Sequence, residues 1–156
     1  QSKRYHHVII GNNYRMTDIA ATIGIEQLKK LKVIINKKNK IDNFYNKKFN
    51  DRNEITLPEI PKYVSQHSWY NYTIIVNSKK RDKLINFLKK NKIETRVSFP
   101  TISSQPIYKN LYYNRKKSNS IRLTKSLIDL PIWTMLSVKD QKKVIKAISV
   151  FFDDKY

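Results

Sequence analysis

The chain contains no cysteine, which excludes disulfide bonds and every metal site built from thiolates. No apolar run is long enough to span a bilayer, and the N-terminus has no charged segment followed by an apolar one. Histidine is also scarce: His6 and His7 are adjacent and His67 stands alone, a pattern that does not indicate metal ligation. We therefore expect a soluble, cytoplasmic protein without a bound metal.

Signatures of catalysis are missing as well. The sequence has no GxGxxG, Walker, HExxH or GxSxG motif. Its carboxylates number only twelve, and no two have a spacing that suggests paired acid and base work. Taken alone, the chain therefore offers no catalytic constellation. It also begins without Met, so we expect a piece of a longer protein.

Acidic residues are few relative to basic ones, which gives a formal net charge of +20. Such a charge can indicate nucleic-acid binding. The excess is mostly lysine, 25 against 7 arginines, and it is dispersed over every segment. Nucleic-acid readers instead concentrate arginine and aromatic residues on one face. We therefore favour a solvated basic surface, and a basic nucleic-acid-binding module stays the alternative from another functional class.

Apolar residues make up 40% of the 156 residues, which is enough for the core of one ordinary domain. After a loop around Gly11, the pattern predicts a helix from Thr17, a suitable N-cap followed by Asp18, to Phe49. Apolar residues of this helix recur at intervals of three, four or seven: Leu28, Leu31, Ile34, Ile35, Ile41, Tyr45 and Phe49. The polar residues that precede the helix make its start a natural place to hold an anion.

The middle of the chain predicts a small α/β unit. Residues 50–68 hold two prolines and no period, and we expect a loop there. A strand over Tyr72–Val76, an amphipathic helix over 79–90 and a second strand over 94–99 follow. This order predicts a right-handed strand–helix–strand crossover.

Two more helices are predicted after a loop over 100–117. The first covers residues 120–127 and ends before Leu130 and Pro131. The second begins at Ser137, an N-cap with Asp140 three residues later. Its expected buried residues are Val144, Ile145, Ile148 and Phe152. The sequence therefore predicts an α/β domain preceded by a long helix.

One run carries a family resemblance. Residues 5–21 read YHHVIIGNNYRMTDIAA and continue through Gly24 to Gln27 and Leu28. This run resembles a signature of the pyridoxal-phosphate-dependent nucleotide-sugar aminotransferases of the DegT/StrS type. Later pieces match in order and spacing: His67-Ser68-Trp69, Ile93-Glu94-Thr95-Arg96, Ser98-Phe99-Pro100, Ser103-Ser104-Gln105-Pro106 and Leu130-Pro131. The resemblance covers essentially the whole chain and favours the branch that contains the perosamine synthases.

The resemblance implies a fold-type I aminotransferase of the α/β class, of which this chain is the C-terminal part. Residues 1–49 would be the tail of the large cofactor domain with the long connecting helix, and 50–156 the small C-terminal α/β domain. It further implies pyridoxal 5'-phosphate as cofactor, a nucleotide sugar as substrate, an amino donor such as glutamate, and a homodimer with shared active sites. Membrane and nucleic-acid partners are not implied.

Four site residues follow from the resemblance. Asn13 matches an asparagine that reaches the cofactor phosphate of the neighbouring subunit, a role that suits a neutral amide donor. Arg15 matches an arginine near the substrate diphosphate, where a guanidinium fork is favoured. Ser98 and Phe99 match the segment that lines the sugar-nucleotide pocket. Other roles stay open, since Asn13 could cap a turn, Arg15 could form an intrachain salt bridge and Phe99 could belong to the core.

No catalytic residue is assigned within the chain. The resemblance implies that the Schiff-base lysine and the aspartate that pairs with the cofactor ring lie upstream of Gly11, and none of the 25 lysines has the expected context. We therefore predict that the chain alone is inactive. A sugar dehydratase of the same family, with histidine in place of that lysine, is the sister alternative.

Overall fold

A computed structural model describes residues 11–12, 14–97, 100–108 and 119–153 of the chain. The chain divides into two compact units, Gln1–Lys32 and Val33–Tyr156. The boundary falls within the first and longest helix, α1, which covers Asp18–Phe49. No helix among the described ranges is both long enough and apolar enough to cross a membrane.

Helix α1 begins where the sequence predicts, and its cap explains why. The Thr17 hydroxyl oxygen accepts a hydrogen bond of 3.3 Å from the Ala20 N–H, which satisfies one of the free donors of the first turn. Asp18 adds a negative charge at the positive end of the helix dipole. The expected apolar stripe divides in two, because Leu28 and Leu31 are exposed whereas the later members Ile35, Ile41, Tyr45 and Phe49 are buried.

The second unit contains an antiparallel sheet of three strands. Strand β1 covers Ile55–Thr56, β2 covers Tyr72–Val76 and β3 covers Leu127–Leu130. The strand order is β1-β2-β3, with Ile55 opposite Val76 and Tyr72 opposite Leu130. β2 therefore lies in the centre, and its residues Tyr72, Ile74 and Val76 are all buried.

Three helices accompany this sheet. Helix α2 covers Ser78–Lys90, one residue longer at its start than predicted, because the Asn77 side chain accepts from the Lys79 N–H at 2.9 Å and caps it. Helix α3 covers Asn119–Thr124 and α4 covers Val138–Asp153. Two single 3₁₀ turns cover Ile102–Ser104 and Pro106–Tyr108.

The predicted cap of the last helix is confirmed. Ser137 accepts from the Asp140 N–H at 3.1 Å, and its hydroxyl donates to the Asp140 carboxylate at 2.5 Å. Val144, Ile148 and Phe152 are buried as expected, and Ile145 is partly buried against the same cluster. The N-cap at Ser137 and the helical spacing of the apolar residues therefore predicted this helix correctly.

The predicted second strand over 94–99 is wrong in its described part. Residues 94–97 form no strand, and one isolated antiparallel bridge joins Arg96 to Asp129. Because the neighbours of β2 are both antiparallel to it, the parallel crossover is also wrong. The partners of β2 are β1 and β3, and the first residue of β3, Leu127, is the last residue of the helix predicted over 120–127.

One hydrophobic core serves this unit. It combines the last turns of α1 with β2, β3, α2 and α4, and its fully buried large side chains are Tyr45, Phe49, Trp69, Tyr72, Ile74, Leu84, Leu88, Ile128, Ile148 and Phe151. The predicted loop over 50–68 is interrupted only by β1, whose Ile55 joins this core.

Candidate functional site

The start of α1 presents exposed polar groups. The Asn12 amide donates a hydrogen bond of 2.9 Å to the Tyr14 hydroxyl, and both residues are exposed, as is Arg15. The first turn of α1 directs its backbone N–H groups and the positive end of its dipole toward the same region. This combination of amide, guanidinium and helix start can hold a phosphate.

Arg15 makes no ion pair with any carboxylate among the described residues, where the pairs are Glu26–Lys29, Arg52–Asp153 and Arg81–Asp82. Its guanidinium is therefore available to an anion, and the salt-bridge alternative finds no support in these residues. The Thr17 hydroxyl oxygen supplies a side-chain acceptor for the first turn of the helix. Asn13, Ser98 and Phe99 lie outside the described residues, so their roles stay predictions.

A polar cluster that the sequence analysis missed lies at β3. Asp129 is 6% exposed and accepts hydrogen bonds from the Thr73 hydroxyl at 2.6 Å and the Asn71 amide at 3.3 Å. The backbones of Asp129 and Arg96 exchange two hydrogen bonds of 2.9 and 3.1 Å. Burial of a carboxylate is tolerated because these donors replace water.

Asp129, Asn71 and Arg96 line a cavity of about 260 Å³ together with two aromatic residues, Tyr70 and Trp133. Both aromatic residues are exposed, by 75% and 49% respectively. In the sequence, Asp129 is a single acidic residue within the apolar run Leu127–Leu130, after the end of the predicted helix over 120–127, and nothing in the sequence gave it a role.

The residue before Tyr70 has an unusual backbone. Trp69 has a φ of 50°, a left-handed conformation that is rare for a bulky residue. Its backbone N–H donates to the His67 Nδ1 at 3.1 Å, and its carbonyl accepts from the Lys38 Nζ at 2.8 Å. Its ring is buried and lies 4.3 Å, centroid to centroid, from the His67 ring. These contacts hold the turn that leads into β2.

A family model now identifies the group to which the chain is similar. The model of the DegT/DnrJ/EryC1/StrS aminotransferase family matches residues 1–149. The chain belongs to this family. The family resemblance carried by the Asn-Tyr-Arg-Met run is therefore confirmed.

Curated relatives of the chain include enzymes named for nucleotide sugars. The GDP-perosamine synthase of Vibrio cholerae is 31% identical over an alignment that covers 97% of this chain and 41% of that enzyme. A UDP-4-amino-4,6-dideoxy-N-acetyl-beta-L-altrosamine transaminase of Campylobacter jejuni is 29% identical, over 88% of this chain and 37% of its own length. The chain thus spans about 40% of the length of the relatives it matches.

Solved structures that are similar to the chain share its fold. A DegT/DnrJ/EryC1/StrS aminotransferase from Brucella abortus matches with a TM-score of 0.77 at 25% identity, over 97% of this chain and 40% of its own. NtdA of Bacillus subtilis, solved with bound pyridoxamine phosphate, matches with a TM-score of 0.79 at 19% identity, over 97% and 36%. The fold is therefore that of fold-type I aminotransferases, in the part that this chain spans.

The family depends on pyridoxal phosphate. The described start of α1 fits the phosphate of this cofactor or of a substrate, because it offers an exposed amide, an exposed guanidinium and a helix N-terminus. The cofactor, when bound, supplies the electron sink for amino-group chemistry. Among the described residues no cluster of His, Asp or Glu could hold a metal.

Proposed function

We propose that the protein containing this chain transfers an amino group from glutamate to a keto-sugar attached to a nucleotide, with pyridoxal phosphate as cofactor. The family match over residues 1–149 carries the proposal. The names of the relatives, which contain a GDP-linked and a UDP-linked sugar, support the substrate class.

The organisation of the protein is part of the same proposal. Residues 1–49 would be the tail of the large cofactor domain with the connecting helix, and 50–156 the small domain. The exposed apolar side chains in the first turns of α1 support the presence of further protein against them, because Ile19, Ile23 and Leu28 are 76%, 59% and 67% exposed. We place the working enzyme in the cytoplasm as a homodimer whose active sites are shared.

The roles proposed for individual residues follow from the family resemblance, and the exposure of Arg15 at the start of α1 supports one of them. Arg15 would bind the diphosphate of the substrate, and Asn13 would donate to the phosphate of the cofactor held by the other subunit. Ser98 and Phe99 would line the sugar-nucleotide pocket. The Schiff-base lysine would come from the part of the protein that precedes this chain, so that the chain alone would be inactive.

The test uses the full-length protein with glutamate and a panel of GDP-, UDP- and dTDP-linked keto-sugars. We expect formation of 2-oxoglutarate together with an amino-sugar product detected by mass spectrometry. Absence of 2-oxoglutarate with every sugar would contradict the proposal. Loss of water from the sugar without consumption of glutamate would instead favour the dehydratase.

Arg15→Gln separates a substrate role from a structural one. We expect KM for the nucleotide sugar to rise about tenfold with little change in kcat, since a binding contact present in both ground and transition states affects KM alone. Lys30→Gln, which removes one exposed positive charge within α1, is the matched control.

Asn13→Ala should leave KM for the sugar nearly unchanged and speed the loss of cofactor absorbance during dialysis.

A further inference from the structure

Asp42 on helix α1 carries a buried carboxylate that the proposed function does not use. Its side chain lines a cavity of about 360 Å³ between α1 and the loop that joins β1 to β2. The residues that line this cavity all lie between positions 39 and 69, within the second unit. We call it the Asp42 cavity. Its volume falls at the lower end of the ~300–1,000 Å³ of small-molecule sites, so it has room for one small organic ligand.

One carboxylate oxygen of Asp42 is fixed and the other is open. Oδ1 accepts from the Asn46 amide at 2.7 Å, and Asn46 in turn accepts from the Tyr72 hydroxyl at 2.7 Å. Oδ2 has no hydrogen-bond partner among the described residues, yet every fully buried side-chain oxygen in that part of the chain has one. Oδ2 therefore keeps some accessible surface, although Asp42 as a whole is only 4% exposed. Because Asp42 lines the cavity, this surface faces it.

A purely structural role does not require a charge at Asp42. An amide in place of the carboxylate would accept equally well from Asn46, and it would avoid the cost of burying an ion. Burial raises the pKa of Asp42, so the ionised form is disfavoured in the cavity as it stands. A cation in contact with Oδ2 would offset this penalty, because an opposite charge at short range favours the ionised carboxylate.

The charge of the lining distinguishes this cavity from others in the described part of the chain. Four other cavities each have a lysine or arginine in their lining, for example Arg96 beside β3 and Lys89 at the end of α2. The described lining of the Asp42 cavity has neither, in a chain with a formal net charge of +20. Lys38 is close in sequence, but its ammonium binds the Trp69 carbonyl and it does not line the cavity. An acidic ligand would therefore find no cation there, whereas a cation would find a carboxylate.

The other polar groups of the lining are neutral and suit hydroxyl groups. The amides of Asn39, Asn43 and Gln66 can each donate and accept, as can the Ser65 hydroxyl. The His67 Nδ1 accepts from a backbone N–H at 3.1 Å, so the imidazole is neutral while this bond exists and adds no positive charge. A ligand with one cationic group and several hydroxyls matches this combination.

We propose that the Asp42 cavity binds the primary ammonium group of a small hydroxylated amine that carries no acidic group. The ammonium would donate to the Asp42 Oδ2, and the ligand hydroxyls would pair with the amides and with Ser65. The apolar side chains of Ile60 and Val64 would contact the carbon skeleton. This ligand differs in class from glutamate, pyridoxal phosphate and sugar nucleotides, which all carry acidic groups. The inference goes beyond amino transfer and does not rest on it.

The test measures binding by calorimetry on the full-length protein, with glucosamine and ethanolamine as probes at a pH where both are protonated. We expect both amines to bind, and glucose, which keeps the ring without the ammonium, to bind about tenfold more weakly than glucosamine. Tetramethylammonium has the charge without N–H donors and should bind as weakly as glucose. Failure of both amines to bind, or equal binding of glucose and glucosamine, overturns the proposal.

Asp42→Asn removes the charge and keeps an acceptor for the Asn46 amide. We expect it to weaken glucosamine about tenfold. Asp51→Asn removes the same charge at an exposed residue that does not line the cavity, and this matched control should bind as the wild type does. Equal affinities of the wild type and Asp42→Asn, or equal losses in the two variants, contradict a role for the Asp42 carboxylate in binding.

Ser65→Trp tests the same cavity without touching the buried network. Ser65 is an exposed residue of the lining, so a bulky side chain there should block the cavity and abolish binding of glucosamine. Thermal unfolding gives an independent readout, because a ligand that binds only the folded protein raises its melting temperature. Glucosamine should raise that of the wild type and of Asp51→Asn, but not that of Ser65→Trp. If Asp42→Asn does not fold, Ser65→Trp decides, and a wild-type response in it overturns the proposal.

The outcomes separate this site from the proposed enzyme function. Amine binding that depends on Asp42, without amino transfer, overturns the enzyme function alone. Amino transfer without amine binding at the cavity overturns the cavity assignment alone. Competition of glutamate, pyridoxal phosphate or a sugar nucleotide with glucosamine would place the amine in the active site, and would also overturn the assignment.

Discussion

The Tyr72 hydroxyl donates a hydrogen bond of 2.7 Å to the Asn46 Oδ1, and thereby joins the central strand β2 to helix α1. The Asn46 amide nitrogen in turn donates to the Asp42 carboxylate at 2.7 Å. Asp42 is 4% exposed and Tyr72 is fully buried. Burial, followed by the nearby charges of Asp42 and Tyr45, raises the pKa of Tyr72 well above its ordinary value, so the hydroxyl stays a donor.

Removal of this hydroxyl should destabilise the fold without disturbing its packing. Tyr72→Phe leaves the partly buried Asn46 oxygen without its donor, and we expect the free energy of unfolding to fall by about 1–2 kcal/mol. Urea denaturation followed by circular dichroism measures the change. Tyr63→Phe, at an exposed position, is the control and should change the stability by less than about 0.5 kcal/mol. Equal effects of the two substitutions would contradict a structural role for this hydrogen bond.

Asp42 should make stability depend on pH. Burial raises its pKa above the ordinary 3.8, while the hydrogen bond from Asn46 and the charge of His67 oppose the shift. For a carboxyl with a raised pKa in the folded state, the contribution to stability is complete below the unfolded value and is lost as the pH rises through the folded value.

Asp42→Asn removes this titration and keeps an oxygen that can accept from Asn46. As the pH rises from about 3 to 7, we expect the free energy of unfolding of the wild type to fall steadily relative to that of Asp42→Asn. Urea midpoints at each pH, with Asp51→Asn as an exposed control, give the comparison. A difference that does not vary with pH would show that Asp42 has no raised pKa.

Local signals explain which parts of the fold the sequence predicted. The caps at Thr17 and Ser137 depend on side chains within three residues of the helix start, and both helices begin as expected. The sequence of strand β2 is a short apolar run with β-branched residues, and its tertiary contacts favour the same extended conformation. In such segments the local preference and the final packing agree.

Long-range pairing explains what the sequence analysis missed. Leu127–Leu130 forms a strand because β2 lies beside it, and Leu123 and Leu127 share a helical spacing that gave no hint of this partner. Asp129 becomes a polar centre only when Thr73 and Asn71 are brought to it from 56 and 58 positions away. Neither the pairing of β3 with β2 nor the hydrogen bonds to Asp129 produce a periodic pattern in a single sequence.

The turn at Trp69 should depend on Lys38. The ammonium donates to the Trp69 carbonyl at 2.8 Å from a partly buried position, and Lys38→Met keeps the aliphatic stem while removing the donor. We expect a loss of about 1–2 kcal/mol, because a charged donor makes a stronger hydrogen bond than a neutral one. Lys37→Met changes the exposed neighbouring lysine and is the control. Thermal unfolding measures both variants, and matching melting temperatures would contradict the role of Lys38.

An ion pair joins the loop after α1 to the last turn of α4. Arg52 donates from two guanidinium nitrogens to the two oxygens of Asp153, at 3.1 and 3.2 Å. The hydrogen bonds from Arg52 lower the pKa of Asp153, against a smaller opposing effect of burial. Its contribution to stability should therefore be present above the ordinary carboxyl pKa and be lost as the pH falls through the lowered one.

Asp153→Asn should therefore reduce the melting temperature near neutral pH and at low salt, and have no effect once the wild-type carboxylate is protonated. The reduction should be small and should shrink in 1 M salt, because the Asp153 side chain is 63% exposed and salt screens exposed pairs. Asp82→Asn removes the same charge from the Arg81–Asp82 pair, which lies within one helix and ties no distant segments together. A salt-independent loss, or an equal loss in Asp82→Asn, would mean that the charge of Asp153 stabilises the fold by something other than its pairing with Arg52.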